Sequence, residues 1–207
     1  MNAFTQPSKS SKYLITIDGV DGTGKSTIGK LLASQLGFTY ATTPLTQYAQ
    51  LRKLIDENPE DVFSRFLFYY SATYYSVRYL LENTDAPGLV LDRYILSTRY
   101  YHEILLGYSL EPFFRMVPFP VPDASIIVTA SPAVLLQRLS NRSQLNYIEK
   151  RIDLLEQIQK KFMESDNTII VMNNGEKQPE EIVSGIIQKI ENQQKQGRHY
   201  ELQNGSY

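Results

Sequence analysis

The sequence predicts an α/β fold, a three-layer sandwich in which helices cover both faces of a five-stranded parallel sheet. Short runs of apolar and β-branched residues, typical of buried strands, alternate with longer segments typical of helices. The chain has 207 residues and 42% hydrophobic content. It is therefore long enough to bury a sizeable core, and one domain is the simplest organisation.

The predicted elements follow one another along the chain as strand and helix in turn. Strands are predicted over residues 13–18, 38–42, 89–92, 124–130 and 168–172. Helices are predicted over residues 25–36, 47–57, 60–82, 95–106, 132–141, 147–165 and 179–191. The segment 111–123 contains four prolines and is predicted to be a helix exit and rigid connector. Such alternation predicts crossover connections and places ligands at the carboxyl ends of the strands.

Both ends of the chain lie outside this pattern. Residues 1–12 and 192–207 are polar and aperiodic, so we expect them to be disordered around a folded domain at 13–191.

Charge and cysteine content exclude several classes of protein. There are 21 Lys and Arg residues against 22 Asp and Glu residues, a net charge of −1, so no global field attracts nucleic acid or an anionic membrane. The chain has no cysteine, which excludes disulfides and thiolate metal sites. It also lacks a charged-then-apolar leader and a long uncharged apolar run. We expect a soluble cytoplasmic protein without nucleic-acid or membrane partners.

The segment GVDGTGKST, residues 19–27, lies between the first predicted strand and the first predicted helix. Its spacing fits the phosphate-loop pattern G-x-x-x-x-G-K-[ST] in the strand-to-helix context that the pattern requires. Glycines let backbone N–H groups point into one cavity, and the helix N-terminus adds partial positive charge. Lys25 is expected at the β- and γ-phosphates of a nucleoside triphosphate, and Ser26 on a magnesium ion. The predicted contacts are Gly19, Asp21, Gly22, Thr23, Gly24, Lys25, Ser26 and Thr27.

A carboxylate and a guanidinium follow the third predicted strand. Asp92 and Arg93 stand where that strand ends, beside the expected phosphate loop. Asp92 is predicted to hold magnesium or its water, and Arg93 to bind a second phosphate. Pro44, after the second strand, opens a loop leading to Arg52, which either faces the same cleft or is a solvated helix charge.

Four segments together resemble the thymidylate kinase family of nucleoside monophosphate kinases. They are GVDGTGKST, TTP followed by Arg52, LDRYILSTRYYHEILLG and PVPDASIIVTASPAVLLQRLSNR, and the resemblance covers roughly residues 13–190. It implies a phosphate-loop NTPase fold, ATP and Mg²⁺, and transfer of the γ-phosphoryl group to a nucleoside monophosphate, with dTMP the leading candidate. It also implies a lid at about 138–150 and commonly a homodimer.

The resemblance assigns roles to individual residues. Arg93 and Arg52 would bind the acceptor phosphate, Asp21 would approach the acceptor sugar or the metal, and Asp92 would organise the metal. Tyr70 would stack on the acceptor base. The implied substrate-binding residues are Asp21, Arg52, Tyr70, Tyr74, Arg93, Ser97, Thr98 and Tyr101. The implied catalytic residues are Lys25, Asp92, Arg93 and Arg142, and Arg138 is implied to contact ATP.

Two positions depart from the family. The family places an arginine that reads thymine four residues after the stacking aromatic, whereas Tyr74 stands there, so Arg78 or Arg99 is a candidate replacement. A later lid arginine is replaced by Tyr147. The transition-state role therefore falls on Arg142, with Arg138 in support and Arg151 as a weaker candidate.

Other interpretations remain open at this point. A GTPase switch needs an Asn-Lys-x-Asp segment, which the sequence lacks. A kinase of another small acceptor, such as a nucleoside or a modified nucleotide, fits the departures at Tyr74 and Tyr147. A non-catalytic nucleotide-binding protein is the third possibility.

The roles of several aromatic residues also remain open. His102 is either a structural histidine or a substrate contact. The tyrosine run on the long helix is predicted to be mostly core or dimer interface, with one or two members touching ligand; it comprises Tyr69, Tyr70, Tyr74, Tyr75 and Tyr79.

Overall fold

A computed structural model describes residues 12–204 of the chain, and side chains for residues 12–195. Residues 1–11 and 205–207 lie outside the described residues. In the described part of the chain, the predicted α/β sandwich is confirmed.

The sheet contains five parallel strands. They are β1 (Tyr13–Asp18), β2 (Thr39–Thr42), β3 (Gly88–Asp92), β4 (Ala124–Thr129) and β5 (Ile169–Met172), in the spatial order β2-β3-β1-β4-β5. Asp92 on β3 pairs in register with Ile17 on β1 and with Thr42 on β2. The carboxyl ends of three strands therefore meet at one edge, where parallel α/β sheets bind ligands.

The described chain contains eight α-helices, of which the first seven connect strands and the last follows β5; a 3₁₀ turn, Thr46–Tyr48, precedes the second. They are α1 (Lys25–Leu36), α2 (Ala49–Asp56), α3 (Val62–Asn83), α4 (Ile95–Leu106), α5 (Glu111–Met116), α6 (Pro132–Ser140), α7 (Ile152–Met163) and α8 (Pro179–Asn204). Local capping explains several boundaries: the Asp61 carboxylate accepts from Ser64 N at the start of α3, and Gly37, at φ 67°, ends α1.

The core lies on both sides of the sheet because strand side chains alternate in direction. On β1, Ile15 and Ile17 pack with α1 and α8, whereas Leu14 packs with α3 on the opposite face. Helices α4 and α7 cover the neighbouring part of that second face. Together these layers fix the edge at which β1 and β3 end. None of the described helices combines the length and apolarity needed to cross a membrane.

Three helices differ from the sequence prediction. The Pro-rich segment 111–123 contains the short helix α5, with Pro112 in its first turn, where proline needs no N–H partner. Helix α7 begins five residues later than predicted, because the Asn146 side chain accepts from the backbone N–H groups of Ile148 and Glu149 and forms a turn instead. Helix α8 continues to Asn204, past the predicted start of a disordered tail at 192; its Gln, Lys, Glu and Arg residues favour helix although they are polar.

Candidate active site at the carboxyl edge of the sheet

Between β1 and α1, the chain forms a loop that only glycine permits at two points. Gly19 has φ 141°, and a Cβ there would lie 2.2 Å from the Val128 carbonyl oxygen. Gly24 has φ 89°, and a Cβ there would lie 2.6 Å from Asn173 Nδ2. The loop therefore packs its backbone directly against its neighbours and begins α1 at Lys25, as a phosphate-binding loop requires.

The Lys25 side chain folds back over this loop. It is only 6% exposed, and Nζ donates to the Val20 carbonyl oxygen at 2.7 Å. Burial, with the nearby Arg93 charge, lowers the pKa of Lys25 to about 8. A buried ammonium group with one protein acceptor keeps N–H groups for an anion placed in the loop.

Asp92 brings the end of β3 into contact with the loop. Its Oδ2 accepts from Ser26 Oγ at 2.5 Å and from Tyr40 OH at 2.8 Å, while its buried Oδ1 has no hydrogen-bond partner in the described part of the protein. A carboxylate with an unused oxygen beside a hydroxyl suits Mg²⁺, which takes oxygen ligands and binds through one or two protein groups plus phosphates. The described residues contain no group of three or more His, Cys, Asp or Glu side chains that could hold a metal by themselves.

Arg93 has an uncommon backbone conformation. Its φ is 72°, in the left-handed region, which costs on the order of 1–3 kcal/mol for a residue other than glycine. Thr43 Oγ1 donates to its carbonyl oxygen at 2.7 Å, and the following amide, Tyr94 N, donates to Asp18 Oδ1 at 2.9 Å. Asp18 is 1% exposed and also accepts from the backbone and hydroxyl of Ser97. These bonds hold the turn that directs the Arg93 side chain.

The Arg93 guanidinium forms an ion pair with Asp21 of the loop. Tyr101 OH donates to the same carboxylate at 2.9 Å, and the Tyr101 ring centroid lies 5.4 Å from the guanidinium carbon. Although burial alone would raise it, the Arg93 charge holds the pKa of Asp21 well below its usual range. Asp21 is therefore ionised, and its ion pair with Arg93 links the phosphate loop to the turn that follows β3.

A cavity of about 130 Å³ opens beside this ion pair. Its lining comes from the loop, from α2, α3 and α4, and from the turn before α7. The charged lining residues are Arg52, Arg65 and Arg93 against Asp21 and Asp56, which leaves one net positive charge. An anionic small molecule fits that charge.

The cavity side of α3 carries residues four positions apart, namely Arg65, Tyr69 and Thr73. Tyr70 and Tyr74, predicted to bind substrate, do not line the cavity. Tyr70 OH donates to the Phe113 carbonyl oxygen at 2.6 Å, and the Tyr74 ring lies 5.1 Å from that of Phe119. The aromatic residue of α3 that lines the cavity is therefore Tyr69, one position before the predicted Tyr70, and Thr73 stands four residues after it.

Other predicted substrate residues do come together. Ser97, Thr98 and Tyr101 line the cavity from α4. Arg52 lines it from α2, with its side chain 50% exposed and its Nε donating to Tyr69 OH at 3.1 Å. Neither suggested replacement arginine lines it: Arg78 pairs with Glu82 at 3.7 Å, and Arg99 with Glu103 at 2.8 Å.

The arginines of the predicted lid differ in their contacts. Arg138 Nη1 donates to the Gly22 carbonyl oxygen at 3.1 Å, so it contacts the phosphate loop directly. Arg142 is instead ion-paired with Glu149, and Arg151 pairs with Asp153 at 2.7 Å. Within the same segment, Asn146, Tyr147 and Ile148 line the cavity. Thr27 is exposed in the first turn of α1.

Sequence reasoning does not single out several lining residues. No sequence motif marks these residues, and only their position in the folded chain, near Arg93 or Tyr69, shows that they line the cavity. They are Thr43, Asp56, Arg65 and Thr73. The spacing of Arg65, Tyr69 and Thr73 is a signal that a search for polar residues at helical spacing would find.

Comparison with known proteins identifies relatives over most of the chain. The family model described as thymidylate kinase matches residues 17–186. A probable thymidylate kinase of Sulfolobus acidocaldarius is 29% identical over 184 residues, covering 83% of this chain and 92% of that protein. A thymidylate kinase of Wolbachia pipientis is 26% identical over 200 residues, covering 87% and 97%.

Solved structures share the fold. A thymidylate kinase from Candida albicans superposes with a TM-score of 0.69 at 18% identity, covering 89% of this chain and 93% of that one. A deoxyadenosine kinase from M. mycoides superposes with a TM-score of 0.64 at 18% identity, covering 86% and 99%. At these identities the likeness concerns the arrangement of strands and helices.

Proposed function

This chain belongs to the thymidylate kinase family, and within that family's ATP-dependent transfer to a nucleoside monophosphate we propose dTMP as its acceptor. The observation that supports this best is that an ion pair, a hydrogen bond and the cavity lie together at one edge of the sheet. The loop residue Asp21 is ion-paired with Arg93, Ser26 contacts Asp92, and the cavity opens beside them. Donor and acceptor phosphates thus have adjoining sites.

The donor side is assigned to the loop. Lys25 and the backbone amides would hold the ATP phosphates, and Ser26 and Asp92 would hold Mg²⁺. When bound, Mg²⁺ neutralises phosphate charge. The protein groups contribute position and charge, which phosphoryl transfer needs more than covalent chemistry.

The acceptor side is assigned to the cavity. Arg93 and Arg52 would bind the monophosphate, Tyr101 would pack against the deoxyribose, and Tyr69 would face the base. The net positive lining favours an acceptor that already carries phosphate over an uncharged nucleoside. Arg138, already on the Gly22 carbonyl, is the lid arginine best placed to approach the transferred group, while Arg142 would first have to leave Glu149.

We also propose that the protein is a homodimer in the cytoplasm, a compartment that suits a chain without cysteine. An exposed apolar face on α3 supports dimerisation, with Leu67 43% and Tyr75 48% exposed. Light scattering after gel filtration should give twice the 23.8 kDa chain mass. A monomer at micromolar concentration would remove this part of the proposal.

ADP release in the presence of ATP and Mg²⁺ tests the acceptor. The panel contains dTMP, dUMP, dCMP, dAMP and dGMP, together with thymidine and deoxyadenosine. We expect dTMP to give the highest kcat/KM. If a nucleoside is used better than every monophosphate, the nucleoside kinase alternative replaces the proposal. Absence of turnover with the whole panel would favour a non-catalytic nucleotide-binding protein.

A further inference from the structure

The end of the cavity farther from the phosphate loop contains two polar groups with unused hydrogen-bonding capacity. Helices α3 and α4 run side by side there, with Thr73 opposite Thr98 and Tyr69 opposite His102. Arg65 lies eight residues before Thr73, about 12 Å farther along α3. Arg65 and His102 therefore lie farther from the loop than Arg93, where a nucleotide whose phosphate is bound by Arg93 places its base.

Arg65 is a donor without an acceptor. Its side chain is 12% exposed, and its closest carboxylate contact, Asp56, lies 3.6 Å from Nη2, too long for a hydrogen bond. Its Nε is buried with no partner, and among the described residues no side chain or carbonyl accepts from its guanidinium. A guanidinium has five N–H donors, so this group retains capacity for a ligand carbonyl.

His102 supplies the complementary acceptor. Its Nδ1 lies 2.6 Å from the Thr98 carbonyl oxygen, which can only accept, so Nδ1 carries the proton. Burial lowers the pKa of His102 to about 4, and the imidazole is therefore neutral near pH 7. Nε2 then bears a lone pair, and the described part of the protein offers it no hydrogen-bond donor.

We propose that Arg65 and His102 select an acceptor base that presents a ring carbonyl next to a ring N–H, as thymine and uracil do. Arg65 would donate to the carbonyl and His102 Nε2 would accept from the N–H, while the Tyr69 ring packs on the base. Cytosine presents the opposite pattern, an amino donor next to an unprotonated ring nitrogen, so each contact becomes unfavourable. This inference rests on the proposed monophosphate kinase activity and adds the groups that read the base.

The test compares kcat/KM for dTMP and dCMP in the wild type, Arg65→Ala and Arg65→Lys. The wild type should prefer dTMP. Losing hydrogen bonds from a charged donor should lower kcat/KM for dTMP roughly 10- to 100-fold and that for dCMP much less, so the preference falls. Arg65→Lys keeps the charge opposite Asp56, so its dTMP-to-dCMP preference should lie between that of the wild type and that of Arg65→Ala. An unchanged dTMP-to-dCMP ratio in Arg65→Ala would overturn the role of Arg65.

Arg52→Gln is the matched control, because this arginine lines the same cavity but is assigned to the phosphate. It should lower kcat/KM for both nucleotides by the same factor and leave their ratio unchanged. Equal losses for both nucleotides in Arg65→Ala would mean that Arg65 binds phosphate as well, which contradicts the proposal.

Two further measurements need no variant, and the second of them does not depend on turnover. dTMP methylated at N3 lacks the ring N–H, and the wild type should use it at least tenfold less well than dTMP; equal use would overturn the role of His102. Equilibrium dialysis with labelled dTMP and dCMP measures base preference without phosphoryl transfer. A protein that prefers dTMP in dialysis but does not turn it over supports the base-reading pair and refutes the kinase activity. A wild type that binds both equally refutes the pair.

Discussion

The two halves of the site satisfy their polar groups in opposite ways. At the phosphate loop, Lys25, Thr23 and Ser26 each donate to a protein acceptor at 3.0 Å or less. In the acceptor cavity, Arg52 donates to Tyr69 OH at 3.1 Å, but Arg65 comes no closer than 3.6 Å to Asp56 and its buried Nε has no partner among the described residues. The loop is held in place before any ligand arrives, whereas the cavity keeps hydrogen-bonding capacity for its ligand. Rigid loop groups suit transfer chemistry common to every acceptor, and the free cavity groups suit selection among acceptors.

The largest expected effect belongs to the loop. Lys25→Ala should lower kcat roughly 100- to 1000-fold with every acceptor, because it removes a charge that balances the transferred phosphates. ADP release measures this loss. Lys30→Ala removes an exposed lysine from the same helix and is the control. Turnover within twofold of wild type in Lys25→Ala would contradict the assigned role. It would also mean that the loop half does not supply the transfer chemistry common to every acceptor.

Arg93 lies where the halves meet, and its loss should affect mainly the acceptor. Arg93→Ala should lower kcat/KM for the acceptor on the order of 100-fold, since it removes a charged donor and leaves Asp21 without its partner. The KM for ATP should change far less. Steady-state kinetics with each substrate varied in turn separates the effects. Equal changes for both substrates would assign Arg93 to the loop half.

A pair of neighbouring tyrosines tests the boundary between cavity and core. Tyr69→Ala should raise the acceptor KM roughly tenfold through loss of contact with the base. Tyr70→Ala should leave that KM near wild type and cost about 3 kcal/mol in the free energy of unfolding, because Tyr70 packs among aromatic rings. Chemical denaturation and acceptor kinetics distinguish the two. The reverse result would restore the sequence-based assignment of Tyr70.

The smallest effect is a pH dependence confined to the loop. Lys25 loses its proton in the free enzyme as pH rises through about 8, so kcat/KM for ATP should fall about tenfold between pH 7 and pH 9. Bound phosphates favour the charged lysine, and kcat should therefore persist to higher pH. A kcat/KM profile that stays flat to pH 9.5 would show that Lys25 keeps its proton, or that its charge is not needed.

The phosphate-loop half was largely predictable from the sequence. Its spacing of glycines, lysine and serine is local, and a strand before it and a helix after it fix its conformation. The alternation of strands and helices likewise predicted the parallel sheet, because the buried strands are short runs rich in apolar and β-branched residues. The position of Asp92 and Arg93 at a strand end then followed from the sheet.

Only the tertiary structure decided which side chains form the acceptor cavity. Residues one position apart on α3 point about 100° apart, so the choice between Tyr69 and Tyr70 depends on how α3 is rotated against α4 and α5. Periodicity could not resolve this rotation, because aromatic residues occupy both faces of α3. The partners of Arg65, Arg138 and Arg142 were equally undetermined, since each contact of a long side chain depends on elements far apart in the sequence or on the path of a turn.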